Sequence, residues 1–272
     1  MIIVGENINA SIPRISSLIQ RRDTDALLDL AQKQADAGVD YIDVNVGNDM
    51  GSREGEVAAM QWAMESIQGQ LDIPLVLDSA DPAVLEAGLK ARDGRSSLIN
   101  STKGEDESLR QILPLSKEYG VPLVALAMDE NGIPKSVEER MHVCGKISGA
   151  CEKHGVSLED VFFDPLVLPI STDTHQAMVA LKTVEEIKER FPMAKTIMGL
   201  SNVSFGLPGR AYLNAAFMHM AIYAGLDAAI VNPLHKELIF AVKTADVLAG
   251  NDRRCRQYMR FFRDNPITDT KE

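Results

Sequence analysis

The chain has 272 residues, 45% of them hydrophobic and 25% charged, a composition that supports one large buried core and excludes disorder. Its 28 Lys and Arg against 39 Asp and Glu leave a formal charge of -11, which argues against a phosphate-neutralising nucleic-acid binder and against a polybasic membrane binder. Cys144, Cys151 and Cys255 form no C-x-x-C pair, the N-terminal MIIVGENINASIPR has no basic n-region or long apolar stretch, and no 18 apolar residues run together, so a cytoplasmic protein without signal peptide or membrane span is expected.

Short β-branched runs recur in chain order at Ile2–Val4, Tyr41–Val46, Leu75–Leu77, Leu98–Ile99, Leu123–Ala127, Val161–Phe163, Thr196–Met198 and Ala228–Val231, each followed by a helical pattern. Helix starts are marked by Asp81-Pro82 and by Ser136-Val-Glu-Glu139, a capping-box pattern; Gly38, Gly120, Gly155 and Gly225 mark ends. Eight such units in 272 residues leave about 34 residues each, enough for a strand, a helix and two short loops. The runs are continuously apolar, as in a parallel sheet covered by helices. A doubly wound sheet shares that pattern, but no G-x-G-x-x-G follows the first strand and no G-x-x-x-x-G-K-[ST] occurs. The expected fold is therefore a (β/α)8 TIM barrel of the α/β class, a single domain over residues 1–272. Gly47–Glu56, with Gly47, Gly51 and Gly55, reads as a solvated loop rather than a flap.

In such a barrel the active site forms at the C-terminal strand ends. The polar residues there are Glu6, Asn7 and Asn9 on the first unit, Asp43 and Asn45 on the second, Asp78 on the third and Asn100 on the fourth, then Asp164, Asn202 and Asn232 on the last three. Carboxylates and carboxamides dominate, with almost no Lys, Arg or His, which leaves little support for a phosphate site, a Schiff base or a His proton shuttle. No His/Cys spacing for zinc occurs, and no metal is expected. A flat neutral heterocycle suits this set, and a pterin does in particular: its ring N3–H and exocyclic amine form a two-donor edge for a carboxylate, and its remaining nitrogens want amides. Any one of these Asn or Asp residues serves equally well as a helix cap; six or more at successive strand ends are harder to explain that way.

The segments Gly5-Glu6-Asn7-Ile8-Asn9, Asp43-Val-Asn45-Val-Gly47, Leu77-Asp78-Ser79, Ile99-Asn100-Ser101-Thr102, Asp164-Pro165-Leu166 and Gly199-Leu-Ser-Asn202-Val-Ser204 resemble, in order and spacing, the pterin-binding methyltransferases. That family includes methyltetrahydrofolate:corrinoid protein methyltransferases and the folate domain of cobalamin-dependent methionine synthase. The resemblance implies that Asp78, Asn100 and Asp164 hold the pterin and that Asn202 approaches N5 as the catalytic residue; Glu6, Asn9, Asp43, Asn45 and Asn232 are further pocket candidates from their place at the strand ends alone. It also implies tetrahydrofolate or methyltetrahydrofolate as substrate, cobalamin supplied by a separate corrinoid protein, since 272 residues leave no room for that domain, and a homodimer. Among stand-alone members the chain looks most like the tetrahydrofolate-specific component of methylamine or glycine betaine demethylation systems. The direction of methyl transfer and the source of any N5 proton stay open.

Other features have plainer accounts. Asp173-Thr-His175-Gln-Ala-Met178 begins like the D-x-H-x-x-G cobalt-ligand motif, but Met178 stands in place of Gly, and Asp173 is expected to cap a helix. Cys144 and Cys151, seven apart, fit one buried helix face; Met60, Trp62, Met64, Met218 and Met220 read as core. The Arg253–Arg263 stretch with Tyr258, Phe261 and Phe262 reads as a terminal helix or subunit contact, not a nucleic-acid patch. His235 is a weak candidate for the substrate tail. Dihydropteroate synthase is the enzymatic rival, but its cationic runs after the seventh and eighth strands are replaced here by Ser201-Asn202-Val203 and Val231-Asn232-Pro233. A non-catalytic folate-binding module is the other alternative.

Overall fold

The computed structural model describes residues 1–47 and 52–266. Eight strands, β1 (Ile2–Asn9), β2 (Tyr41–Asn45), β3 (Leu75–Asp78), β4 (Ser97–Lys103), β5 (Leu123–Leu126), β6 (Val161–Asp164), β7 (Lys195–Gly199) and β8 (Ala228–Val231), close into a barrel in sequence order. Every pairing is parallel, including β1 with β8. The principal helices of the units are α2 (Thr24–Asp36), α3 (Arg53–Gln68), α4 (Pro82–Ala91), α5 (Asp106–Tyr119), α6 (Val137–His154), α7 (Gln176–Arg190), α8 (Arg210–Tyr223) and α9 (Lys236–Leu248), with α1 (Pro13–Gln20) before α2 and α10 (Arg256–Asp264) after α9. This is the (β/α)8 barrel expected from the strand spacing.

Strand side chains alternate between two apolar environments, as the pleat requires. Ile3, Ile42, Leu75, Leu77, Ile99, Leu123, Phe163 and Met198 face the helices and form the larger core with them. Val4, Val76, Leu98, Val124, Phe162, Ile197 and Ala228 fill the barrel itself as a separate plug. Going two residues further along the same strands returns to the inner face, and there Val4 is followed by Glu6, Val76 by Asp78, Leu98 by Asn100 and Phe162 by Asp164. The barrel is thus filled below by hydrocarbon and above by amides and carboxyls.

Local signals behave as their chemistry dictates. Asp81 accepts from Ala83 N at 2.8 Å with Pro82 opening α4, and Ser136 forms a reciprocal capping box with Glu139. Several expectations are corrected. β1 and β4 run past their apolar stretches, so Glu6, Asn9 and Asn100 lie inside strands rather than after them. The expected loop at Gly47–Glu56 ends by Arg53, where α3 begins under a Ser52 cap, and residues 48–51 lie outside the described residues. Asp173 does not cap α7: His175 holds the N-cap position, and Asp173 instead accepts from the His175 amide at 3.0 Å within the preceding turn. Met220 is 45% exposed and is not core, whereas Met60, Met64 and Met218 are fully buried.

Candidate active site

The β1–β4 registers put Asn9 beside Asn45, Asn45 beside Asp78, and Asp78 beside Asn100, a continuous row across the barrel mouth. Three of these side chains engage one another with Asp43 beneath them. Asn45 Nδ2 donates to Asp78 Oδ2 at 2.8 Å, Asn100 Nδ2 donates to Asp43 Oδ1 at 3.4 Å, and Asp43 is hydrogen-bonded to Asp78. Asp43 is only 2% exposed. Burial, and then the neighbouring charge of Asp78, push its pKa well above the ordinary carboxylate range; burial also raises that of Asp78. The pair titrates together, and its hydrogen bond runs in the sense that favours a proton on Asp43, with Asp78 as the acceptor. The carbonyl oxygen of Asn45 is buried and has no partner among the described residues, an acceptor facing a missing donor.

On the opposite wall, Asp164 ends β6 and accepts from the Leu166 amide through Oδ1 at 2.7 Å. Burial raises its pKa to about 7 against the lowering effects of that hydrogen bond and of Arg140. Glu6, half-buried on β1, is also raised to about 7 by burial, opposed by the charge of Arg210 and by the Asn232 backbone amide, which donates to it. Asn202 lies in the 3₁₀ turn Leu200–Ser204 after β7, its side chain exposed and without a hydrogen-bond partner among the described residues. The absence of a side chain at Gly199 lets Asn202 fold back over the strand end, since a Cβ there would stand 3.3 Å from its Nδ2.

The structure thus brings Glu6, Asp43, Asn45, Asp78, Asn100 and Asp164 onto the inner face of one mouth, with Asn202 and Asn232 on its β7–β8 side. Asn9 has a local role: its Oδ1 accepts from Ser11 N at 2.8 Å, fixing the turn into α1. The side chain of Asn232 likewise accepts from Leu234 N at 3.0 Å and contacts exposed His235. Two arginines near the site are not apparent from the strand-end pattern. Arg210, the first residue of α8, donates to Ser204 Oγ and Ser201 O at 3.0 and 2.8 Å, bracing the Asn202 turn. Arg140 is completely buried behind Asp164. Its signal was present in α6, where Arg140, Cys144, Ile147 and Cys151 share one buried stripe, so a cation occupies a core position. Both cysteines of that stripe are free thiols whose pKa burial raises, to about 12 and about 11.

Among the described residues, no three His, Cys, Asp or Glu side chains are grouped to hold a metal ion, and no helix is long and apolar enough to cross a membrane. A closed barrel whose mouth is floored by carboxyls and carboxamides defines a site for a flat, hydrogen-bonding heterocycle. Residues 5–232 fit the pterin binding enzyme model, and the chain belongs to that family. It is 35% identical over 269 residues to the methylcorrinoid:tetrahydrofolate methyltransferase of Eubacterium limosum, the alignment covering 98% of each chain. Against the methionine synthase of Mycobacterium tuberculosis it is 31% identical over 245 residues, 85% of this chain but 20% of that protein. A Yersinia pestis dihydropteroate synthase with a pterine-sulfa conjugate matches with a TM-score of 0.70 at 17% identity, covering 92% of this chain and 94% of that one. A Coxiella burnetii dihydropteroate synthase in complex with pteroic acid gives 0.69 at 15% identity with the same coverage. These solved structures share the fold.

Proposed function

We propose that this chain is a methyltransferase that moves a methyl group between the cobalt of a corrinoid carried by a separate protein and N5 of tetrahydrofolate. The observation carrying the reading is the polar mouth formed by Asp78, Asn100 and Asp164, in a chain alike over 98% of its length to a relative named for that reaction. Asp164 offers carboxylate oxygens to the N–H pair of the pterin edge, and the unpartnered Asn45 Oδ1 together with Asn100 supplies amide complements to other ring positions. Asp78 and Asp43 back this wall and hold a buried proton close to it.

When the methyl group travels toward folate, the N5 lone pair bonds to the methyl carbon, the carbon–cobalt bond breaks leaving its electron pair on cobalt as Co(I), and N5 loses its proton. Methyl transfer in the other sense needs a proton or hydrogen bond at N5 before that nitrogen can leave. Asn202 serves both senses, because its amide donates to an N5 lone pair or accepts from N5–H, and the Gly199 gap and Arg210 brace set where it stands.

The enzyme is further read as cytoplasmic, in keeping with its free thiols, and as a homodimer joined through the groove between α7 and α8, where Met178, Met220 and Tyr223 are exposed at 46%, 45% and 84%. Sedimentation of the purified chain checks the dimer, and Tyr223→Glu should dissociate it.

The reaction is tested by mixing the protein with tetrahydrofolate and methylcobalamin, then with methyltetrahydrofolate and Co(I) cobalamin, and following the cobalt absorbance. Exchange is expected, slow with free cobalamin and faster with a cobalamin-carrying protein. Absence of exchange with every corrinoid form, while folate still binds, would reduce the chain to a folate-binding module.

A further inference from the structure

Among the described residues, Arg140 makes three hydrogen bonds and no ion pair. Its Nε donates to Pro134 O at 3.0 Å, one terminal nitrogen donates to Leu166 O at 2.9 Å, and the other to Gln176 Oε1 at 2.9 Å. Gln176 in turn donates to Lys135 O at 3.3 Å and Asp173 Oδ2 at 3.1 Å. One buried guanidinium therefore joins the loop after β5, the loop after β6 and the start of α7. A cation with no exposed surface and no carboxylate in contact is costly to bury. Neutral acceptors alone do not explain why a charge is kept there; the residue it secures does.

That residue is Leu166. Its φ is +65°, a left-handed backbone that a leucine avoids unless held there. Arg140 grips the Leu166 carbonyl while the Leu166 amide, on the other side of the same residue, donates to Asp164 Oδ1 at 2.7 Å. The chain Arg140–Leu166–Asp164 is continuous, and each link fixes the next.

We infer that Arg140 is a positioning residue for substrate: through the backbone of Leu166 it aims the Asp164 carboxyl into the barrel mouth, and its buried charge sits on the side that favours a carboxylate ready to accept an N–H pair. The inference rests on the assignment of Asp164 to the pterin edge. Of the charged groups around Asp164, Arg140 is the one whose field lowers its pKa. Glu6, Asp43 and Asp78 belong to β1–β3 across the barrel, Arg210 acts on Glu6, and the Cys144 thiol beside Arg140 is held protonated by burial. A guanidinium suits the task better than an ammonium because its planar fork reaches three acceptors at once.

The test uses the full chain as Arg140→Gln, Arg140→Lys and Asp164→Asn beside wild type. Carbon-13 NMR of the aspartate carboxyls, with Asp164→Asn giving the assignment, reads the Asp164 midpoint without folate; calorimetry across roughly pH 6 to 8 reads tetrahydrofolate affinity. For Arg140→Gln the midpoint should rise by about one pH unit, and affinity at neutral pH should drop about tenfold and recover as the pH is raised. Arg140→Lys keeps the charge but not the fork, so the midpoint stays near wild type while KM for tetrahydrofolate rises and kcat is retained. A folded Arg140→Gln with an unchanged midpoint and affinity overturns the inference. Should Arg140→Gln fail to fold, Arg140→Lys decides: a wild-type KM overturns it. If wild type binds no tetrahydrofolate and the glutamine variant still moves the midpoint, the positioning role stands and the pterin reading falls.

Discussion

Asp43 and Asp78 sit one strand apart and are hydrogen-bonded to each other, each also receiving a carboxamide hydrogen, from Asn100 and Asn45 respectively. Two carboxyls so placed titrate as a coupled unit in which a proton is favoured on Asp43, and the two amides orient it. Asp43→Asn replaces a protonated carboxyl with a group of the same shape that still donates to Asp78, so its stability should stay within about 1 kcal/mol of wild type. Asp43→Ala leaves both Asn100 and Asp78 short of a buried partner and should cost about 1 to 3 kcal/mol in urea unfolding. Equal loss in the two variants would mean that the shared proton is absent.

Asp164→Asn should weaken tetrahydrofolate binding by about 1 to 3 kcal/mol, because it turns a donor toward the ring's own donors. Titration calorimetry checks this, and unchanged affinity removes Asp164 from the pterin edge.

The raised pKa values of Asp164 and Glu6 have a signed consequence. Both lie at about 7 in the folded protein against ordinary values of 3.8 for the aspartate and 4.5 for the glutamate. Between those limits the folded chain holds protons that the unfolded chain has released, so folding stability is greatest near pH 4 on account of these two groups and declines up to about pH 7, by at most roughly 3 to 4 kcal/mol for each. On the proposed reading the pterin edge is accepted by the anionic form of Asp164, so the ligand's stabilising effect should grow over the same range. Thermal melts with and without tetrahydrofolate from pH 5 to pH 8 should diverge; a ligand effect independent of pH would contradict the ionised-edge contact.

Asn202→Ala should lower kcat by about 10- to 1000-fold while folate affinity changes less, the pattern of a contact realised chiefly in the transition state. Single-turnover kinetics separates the effects. A wild-type rate with collapsed affinity would make Asn202 a binding residue alone.

Much of this arrangement was legible in the sequence for a simple reason. The barrel interior repeats every second residue, so an apolar side chain followed two positions later by Asp or Asn marks the change from plug to mouth, as in Val76 and Asp78, Leu98 and Asn100, or Phe162 and Asp164. The strand limits were less legible, because polar Asn100 and Thr102 still pair with β5, on either side of a register shift at Ser101. Arg140 and Arg210 escape a strand-end pattern because both start from helices and reach the site through space. The local duties of Asn9 and Asp173 are decided by turn geometry over two residues, where one side chain fits a cap, a turn or a ligand equally well.

The hydrocarbon plug of Val4, Val76, Leu98, Val124, Phe162, Ile197 and Ala228 makes the cavity a blind-ended well. Two large substrates that meet at one nitrogen must share its single opening, so the one seated deeper enters first and leaves last. On the proposed reading, with a pterin held at Asp164 and a corrin brought by another protein, the expected order is compulsory, with folate as the inner substrate. Product-inhibition patterns should accordingly show competition between the two folate forms and none between folate and the corrin carrier.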